Sequence, residues 1–384
     1  MFREMFKSNY ARYWILSFLL SAIPIGLIGY KWIQVQRIPG IDKSVIRNES
    51  EIEKLLGNRD TIQFNSGKNP YRIPTGFFIQ SLAFLTPSDT NITGYIWQKY
   101  PENFPKEIRK GFIFPEEVNS TCTKLDVVYR YYGEQNGIKY ELTGWYFDVT
   151  VRQTFDYSKY PLDLLTVWIR LWPQDFTSDN RVIFVPDFKA YASTAKTTFG
   201  LDVDIVPGEW QIDETFFSYD NIPYDTDFGF FTDVKEHKYK EFYINLGMRR
   251  KFINAFVINL VPLFVVALLL FAQMMTVTGI KDLADKFGYT TSGAIATCSA
   301  LFFVVVLAHV QVRSLFSGSG LVYIEYFYLI MYFVILMTAL NAYVFSLGNL
   351  KHFNLIHYRD NFIPKVAYWP LLLWMMAIVT WIKL

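Results

Sequence analysis

Residues able to carry out bond chemistry are few in this chain, and they are scattered. Four histidines occur in 384 residues: His237 in a charged stretch, His309 inside an apolar run, and His352 and His357 in a basic connection. The last two are five apart, a poor match to a pair of metal ligands on one helix face. No nucleophile motif accompanies any of them. Cys122 lies in the polar half and Cys298 in an apolar run, so a disulfide would have to join two different environments, and none is expected. The chain is therefore expected to be no enzyme and to use no cofactor or metal. One charged feature stands out: FDYSKYPLDLLTV, residues 155–167, sets two aspartates about a Tyr160-Pro161 pair within a stretch rich in aromatic and β-branched residues. Proline fixes φ, which presents Tyr160 and Leu162 as an apolar knob and leaves Asp163 to meet a cation. An ordinary turn with a surface aspartate has the same composition, so the surroundings have to decide.

Those surroundings are membrane-like. Of all residues 52% are hydrophobic and 18% aromatic, above an average soluble domain. A net charge of +2 without a basic stripe gives no reason to expect a nucleic-acid partner. Five apolar stretches, about 13–33, 253–275, 290–312, 321–345 and 366–384, reach or approach the roughly 20 residues a helix needs to cross a bilayer. The first follows Arg3, Lys7 and Arg12 and lacks a small-residue cleavage pattern. It reads as a retained anchor, with a cleaved signal peptide as the alternative. The basic N-terminal tail and the 346–365 connection (Lys351, Arg359, Lys365) belong on the cytoplasmic side of a cell or inner membrane. Five crossings then put residues 34–250 and the C-terminus outside. Neither cytoplasmic connection exceeds about 20 residues, too few for an effector domain. Whatever the outer part senses has to act on the helices themselves.

Between about 70 and 250, short alternating runs such as ELTGWYFDVTV (141–151) and LLTVWIRLW (164–172) are separated by turn residues. This pattern predicts an antiparallel β-sandwich. The expected fold is a multi-domain membrane protein: residues 1–33 a cytoplasmic tail and anchor, 34–70 a linker with a short helix, 71–250 an extracytoplasmic β-sandwich, and 251–384 a four-helix transmembrane domain.

In this order of elements, Phe155-Asp156-Tyr157-Ser158-Lys159-Tyr160-Pro161-Leu162-Asp163 resembles the loop C-x-[IV]-D-V-x-x-F-P-F-D-x-Q-x-C of the pentameric ligand-gated ion channels, the Cys-loop receptors. Gln153 and Val167 fall where the cysteines would be, as in the disulfide-free, mostly prokaryotic members. The resemblance covers about residues 70–384. GFFIQSLAFLTPSDTNITGYIWQKY (76–100) looks like the family's first two strands, and Gly208-Glu209-Trp210 is similar to its G-x-W. Ile113-Phe114-Pro115-Glu116 is a loose relative of W-x-P-D, with tryptophan and aspartate both replaced. Arg249-Arg250, with Pro262 twelve residues after Arg250, resembles the passage into the first channel helix. The anchor at 13–33 departs from the family's four spans.

The resemblance implies a homopentamer in membrane lipid that is opened by a ligand and conducts inorganic ions. It implies a coupling surface made of Tyr160, Pro161 and Asp163, Arg250 at the strand-to-helix junction, Asp89 in the first strand-to-strand loop, and Leu321 in the outer link between helices. It implies that the 290–312 helix lines the axis with Ser292, Ala296, Ala300, Phe303, Leu307, Val310 and Ser314, with Phe303 as the constriction. A slip of one residue would present Thr297 and Ser299 instead. The selectivity signatures of the family are absent around Ser292-Gly293-Ala294, and Arg313 near the outer mouth favours anion permeation or poor selectivity. Agonists of the family bind under an aromatic hairpin, here about 216–233, with Phe217, Tyr219, Tyr224, Phe228 and Phe230 among four aspartates. Aromatics beside carboxylates suit a cationic amine, while packing of the sheet edge is an equally fair reading; a proton or a divalent cation is a further possible ligand. Two rival functions are a non-conducting membrane-anchored sensor or binding protein, and a transporter. The transporter is disfavoured because Glu325 is the only acidic residue inside a span and no inverted repeat is evident.

Overall fold

Period-two burial marks the strands. The segment Asp89–Pro101 buries every second residue along its whole length, and Leu164–Pro173 does so over most of its own. The structure, a computed structural model, describes residues 8–35, 44–56, 70–118, 123–135, 137–175, 182–192, 197–226, 228, 237–316, 318–348 and 354–384. The chain divides into a sheet unit (39–155 and 164–250) and a helical unit (1–38, 156–163 and 251–384).

In the sheet unit the strands are β1 (Ser44–Ile46), β2 (Tyr71–Phe84), β3 (Asp89–Pro101), β4 (Phe112–Ile113), β5 (Lys124–Gln135), β6 (Ile138–Arg152), β7 (Leu164–Pro173), β8 (Val182–Pro186), β9 (Trp210–Tyr224) and β10 (His237–Arg250). They form two five-stranded sheets, β1-β9-β10-β7-β4 and β5-β6-β3-β2-β8. All named pairs are antiparallel except β2 with β8, so the second sheet is mixed rather than purely antiparallel. Rings from both sheets interleave in the core: Phe77 of β2 meets Phe217 of β9 at 5.3 Å, and Phe112 of β4 meets Trp145 of β6 at 5.4 Å. Such pairs each add roughly 0.5–1.5 kcal/mol beyond area burial. Gly94 is required where β2 bulges between Ile79 and Ser81, because a Cβ there would lie 2.1 Å from the Phe78 carbonyl oxygen. Residues 44–46, expected within a linker, instead add an edge strand against β9. The short helix expected after them is α2 (Glu49–Leu56), where Asn48 Oδ1 accepts from the Glu51 N–H and Glu51 accepts from the Arg47 N–H. This reciprocal capping satisfies backbone donors that a first turn leaves open.

The helical unit holds α1 (Ser8–Val35), α3 (Phe252–Thr276), α4 (Lys281–Phe287), α5 (Thr291–Leu315), α6 (Tyr323–Ser346), α7 (Asn354–His357) and α8 (Phe362–Lys383). Five of these, α1, α3, α5, α6 and α8, are long and apolar enough to cross a membrane. Pro262 lies at the start of the regular part of α3, just after a π turn over Phe256–Leu260. Here the missing N–H costs least. Packing fixes helix directions. Tyr368 of α8 donates to the Ala267 carbonyl and Trp369 touches both Phe264 and Phe271, while α5 and α6 run antiparallel through Phe302–Tyr332 and Arg313–Glu325. The N-terminal helix, expected as a separate anchor, lies parallel to α8: Tyr10 meets Phe362, Ser17 donates to the Val366 carbonyl, and Lys31 sits over Trp381. It is a fifth member of the bundle.

Candidate functional site

Chain order places residues 156–163 between β6 and β7, yet they belong to the helical unit. The segment winds through two tight turns, Tyr160 N–H to Tyr157 O and Leu162 N–H to Lys159 O, and the Asp156 carboxylate accepts from the Ser158 N–H. The Tyr160-Pro161 peptide is cis. Its carbonyls do a specific job: Ser158 O accepts from Tyr323 N–H at 2.8 Å and Tyr160 O from Ile324 N–H at 3.2 Å. These are first-turn donors of α6, which have no partner inside their own helix. The Tyr160 ring packs on Phe316 at the end of α5 (4.6 Å between centroids), Tyr157 packs there too, and the Tyr160 hydroxyl accepts from Asn259 of α3. One short loop thus holds the end of α5, the start of α6 and the π turn of α3. Of the residues expected at a coupling surface, Tyr160, Pro161 and Asp163 are buried and Leu321 is exposed. Within the sheet unit, Asp89 forms two hydrogen bonds with Arg152, which hold its carboxyl below the usual range. Arg250 pairs with Glu209 at 2.9 Å and lies 4.1 Å over the Trp210 ring.

The turn that this loop grips is closed by a buried carboxylate. Glu325, fully buried, accepts from the Val322 N–H at 2.7 Å, from Arg313 at 3.3 Å and from His309 Nε2 at 3.2 Å. With Nε2–H donating to Glu325, Nδ1 is left to accept from the Tyr332 hydroxyl, and the imidazole stacks on Tyr328. Arg313 also donates to the Ser319 and Gly320 carbonyls. Its guanidinium, expected to act at a pore mouth, is engaged inside its own α5–α6 turn.

Along α5 only a narrow stripe is buried, and Ile295, Phe302 and Val304 are exposed beside the expected pore positions. Ala294, Cys298, Leu301, Val305 and Val312 are buried, while Ser292, Ala296, Ala300, Phe303, Leu307, Val310 and Ser314 are exposed. At about 100° per residue the two stripes lie on opposite sides of the helix. Of the one-residue slip alternatives, Thr297 is half-buried and Ser299 exposed.

The expected hairpin site needs correction. Phe217 and Tyr219 are core residues: Phe217 stacks on Phe242, and the Tyr219 hydroxyl donates to the Phe184 carbonyl. Residues 215–219 are buried on both faces of β9, so neither side chain is available to a ligand. Phe230 lies outside the described residues. Tyr224 and Phe228 remain at the sheet end, both against Trp172. At their centre is a group that sequence reasoning missed. Arg170 donates to Tyr224, Glu116 and Glu241; Glu241 also accepts from Trp172 Nε1, Tyr224 and Tyr243. The only signal in the sequence is an arginine between two tryptophans in WIRLW.

No protein-family model matches this chain, and no curated protein matches it either. Its geometry is what bears on function.

Proposed function

We propose that this chain is the subunit of a homopentameric ligand-gated ion channel, with a β-sandwich receptor part outside the membrane, the N-terminus inside, and α5 lining the pore. The observation that carries the reading is the loop at 156–163. Both of its ends are strands of the sheet unit, while its carbonyls cap α6 and its tyrosine holds Phe316 of α5. Any rearrangement of β6 and β7 on ligand binding therefore pulls on the α5–α6 turn through covalent bonds and a hydrogen-bonded cap. The second support is α5 itself. A stripe that faces away from every other helix of its own subunit is what a shared axis requires, and Phe303, 65% exposed, is its bulkiest member. Five such rings leave little room for hydrated ions.

The test is projection imaging of the detergent-purified protein together with planar-bilayer recording. A five-fold ring is expected, and Phe303→Ser is expected to give a standing leak at rest. A monomer or dimer in projection removes the channel reading in favour of a membrane-anchored binding protein, and a five-fold ring with no leak in Phe303→Ser removes the pore register.

A further inference from the structure

The aromatic cage at the sheet end already contains a cation. The Arg170 guanidinium lies 5.4 Å over the Trp172 ring and 6.0 Å over that of Trp168, and it is bonded to Tyr224, Glu116 and Glu241. An incoming ammonium group would have to displace it from the same rings and the same carboxylates. Two carboxylates share this one guanidinium, and none of the three side chains is more than 16% exposed. The group therefore carries one negative charge in excess. Buried charge of this kind is costly unless something neutralises it. A divalent cation does not fit: Glu116 is bonded to Nη2 and Glu241 to Nη1, so the guanidinium stands between them, and no group of three metal-ligating side chains occurs among the described residues. A proton does fit.

We propose that the Glu116 carboxylate is a proton-binding site through which the sheet unit senses external pH. This deepens the channel reading and rests on it for its consequence, not for its chemistry. Geometry selects Glu116 over Glu241. Among the described residues Glu241 accepts hydrogen bonds from four side chains, Arg170, Trp172, Tyr224 and Tyr243, whereas Glu116 accepts from the shared Arg170 and its own backbone N–H alone. Among the described residues the titratable groups that act on Glu116 are Arg170 of β7 and Glu241 of β10, and Tyr224 of β9 and Tyr243 of β10 bond to Glu241 behind them. Desolvation pushes the Glu116 carboxyl up, Arg170 and the Glu116 backbone N–H pull against it, and Glu241 adds to the rise, with desolvation prevailing. Burial drives both phenols upward as well, so they stay neutral donors. Once Glu116 is neutral, Arg170 and Glu241 balance one to one. The backbone carbonyl of Glu116 accepts from the Arg152 N–H, and the Arg152 side chain holds Asp89, which links the backbone of Glu116 through β6 to the start of β3.

The experiment is infrared difference spectroscopy of the purified full-length protein through a series of pH steps, paired with bilayer recording of the same samples. A protonated-carboxyl band should appear on acidification with a midpoint above that of an ordinary glutamate. It should be lost in Glu116→Gln, and in Glu241→Gln it should shift to lower pH because the excess charge is gone. A band unchanged in Glu116→Gln overturns the proposal. Should that variant fail to fold, an unshifted band in Glu241→Gln does the same. An acid-evoked current that persists in Glu116→Gln also overturns it and leaves the channel reading standing. The expected bands with no current at any pH support the site and count against the channel.

Discussion

Two carboxylate–arginine clusters in this molecule use the same parts to different effect. In the helical unit, Glu325 faces one arginine, Arg313, with His309 alongside; in the sheet unit, Glu116 and Glu241 face one arginine, Arg170. Glu325 and Arg313 are matched in charge, and Glu325 is further satisfied by a backbone N–H. The sheet cluster has one carboxylate too many. The difference teaches that pairing alone does not make two carboxylate clusters equivalent; the count of charges against partners separates them. An unmatched carboxylate in a desolvated place invites protonation.

The strongest challenge to this contrast is to remove a carboxylate from each cluster. Glu325→Ala leaves the buried Val322 N–H without its acceptor and takes the carboxylate from His309 and the partly exposed Arg313, and should destabilise by about 1–3 kcal/mol, read as a fall in the thermal midpoint of the detergent-solubilised protein. Glu116→Gln removes the excess charge and should hold or slightly raise that midpoint at neutral pH. Equal losses would mean that both clusters are clamps. A smaller effect is expected at the loop: Tyr160→Phe keeps the ring on Phe316 but loses the bond from Asn259, whose amide still donates to the Ala255 carbonyl, so about 1 kcal/mol is expected.

The smallest effects are slopes with pH, and they run in opposite directions. The folded-state pKa of Glu116 is raised, so the folded state binds more protons than the unfolded state between the ordinary glutamate value and the raised one. Across that window stability falls as pH rises. For Asp89 the folded value is lowered, so its contribution is present above the ordinary aspartate value and fades as pH falls through the lowered one. Unfolding midpoints measured against pH should lose the first slope in Glu116→Gln and the second in Asp89→Asn. A shared sign for the two slopes would break the assignment.

How much of this was legible depends on the range of the interaction. Apolar runs and period-two alternation are local, and they show the membrane-length helices and most strands directly. The 155–163 loop also declares itself, because Tyr-Pro between aspartates is unusual beside a strand. Arg170 could not be matched to its partners in this way: Glu116 and Glu241 lie 54 and 71 residues away along the chain, and only strand register brings them together. Phe217 and Tyr219 misled for a related reason. Alternation assigns them to one face of β9, but five consecutive residues there are buried, so alternation does not distinguish lining from core. The β1 strand, three residues long, carries no periodic signal at all.

The loop also bears on how the sheet unit is to be produced. Expressed by itself, the sheet unit would still carry residues 156–163 as a covalent bridge between β6 and β7, now without Phe316, Asn259 and the α6 donors that cover Tyr157 and Tyr160. A bare foot of two tyrosines, Pro161 and Leu162 is an adhesive patch, and the soluble fragment should self-associate through it. Replacing Tyr157, Tyr160 and Leu162 by polar residues is the natural remedy, and it leaves the Arg170 cluster untouched for titration in water.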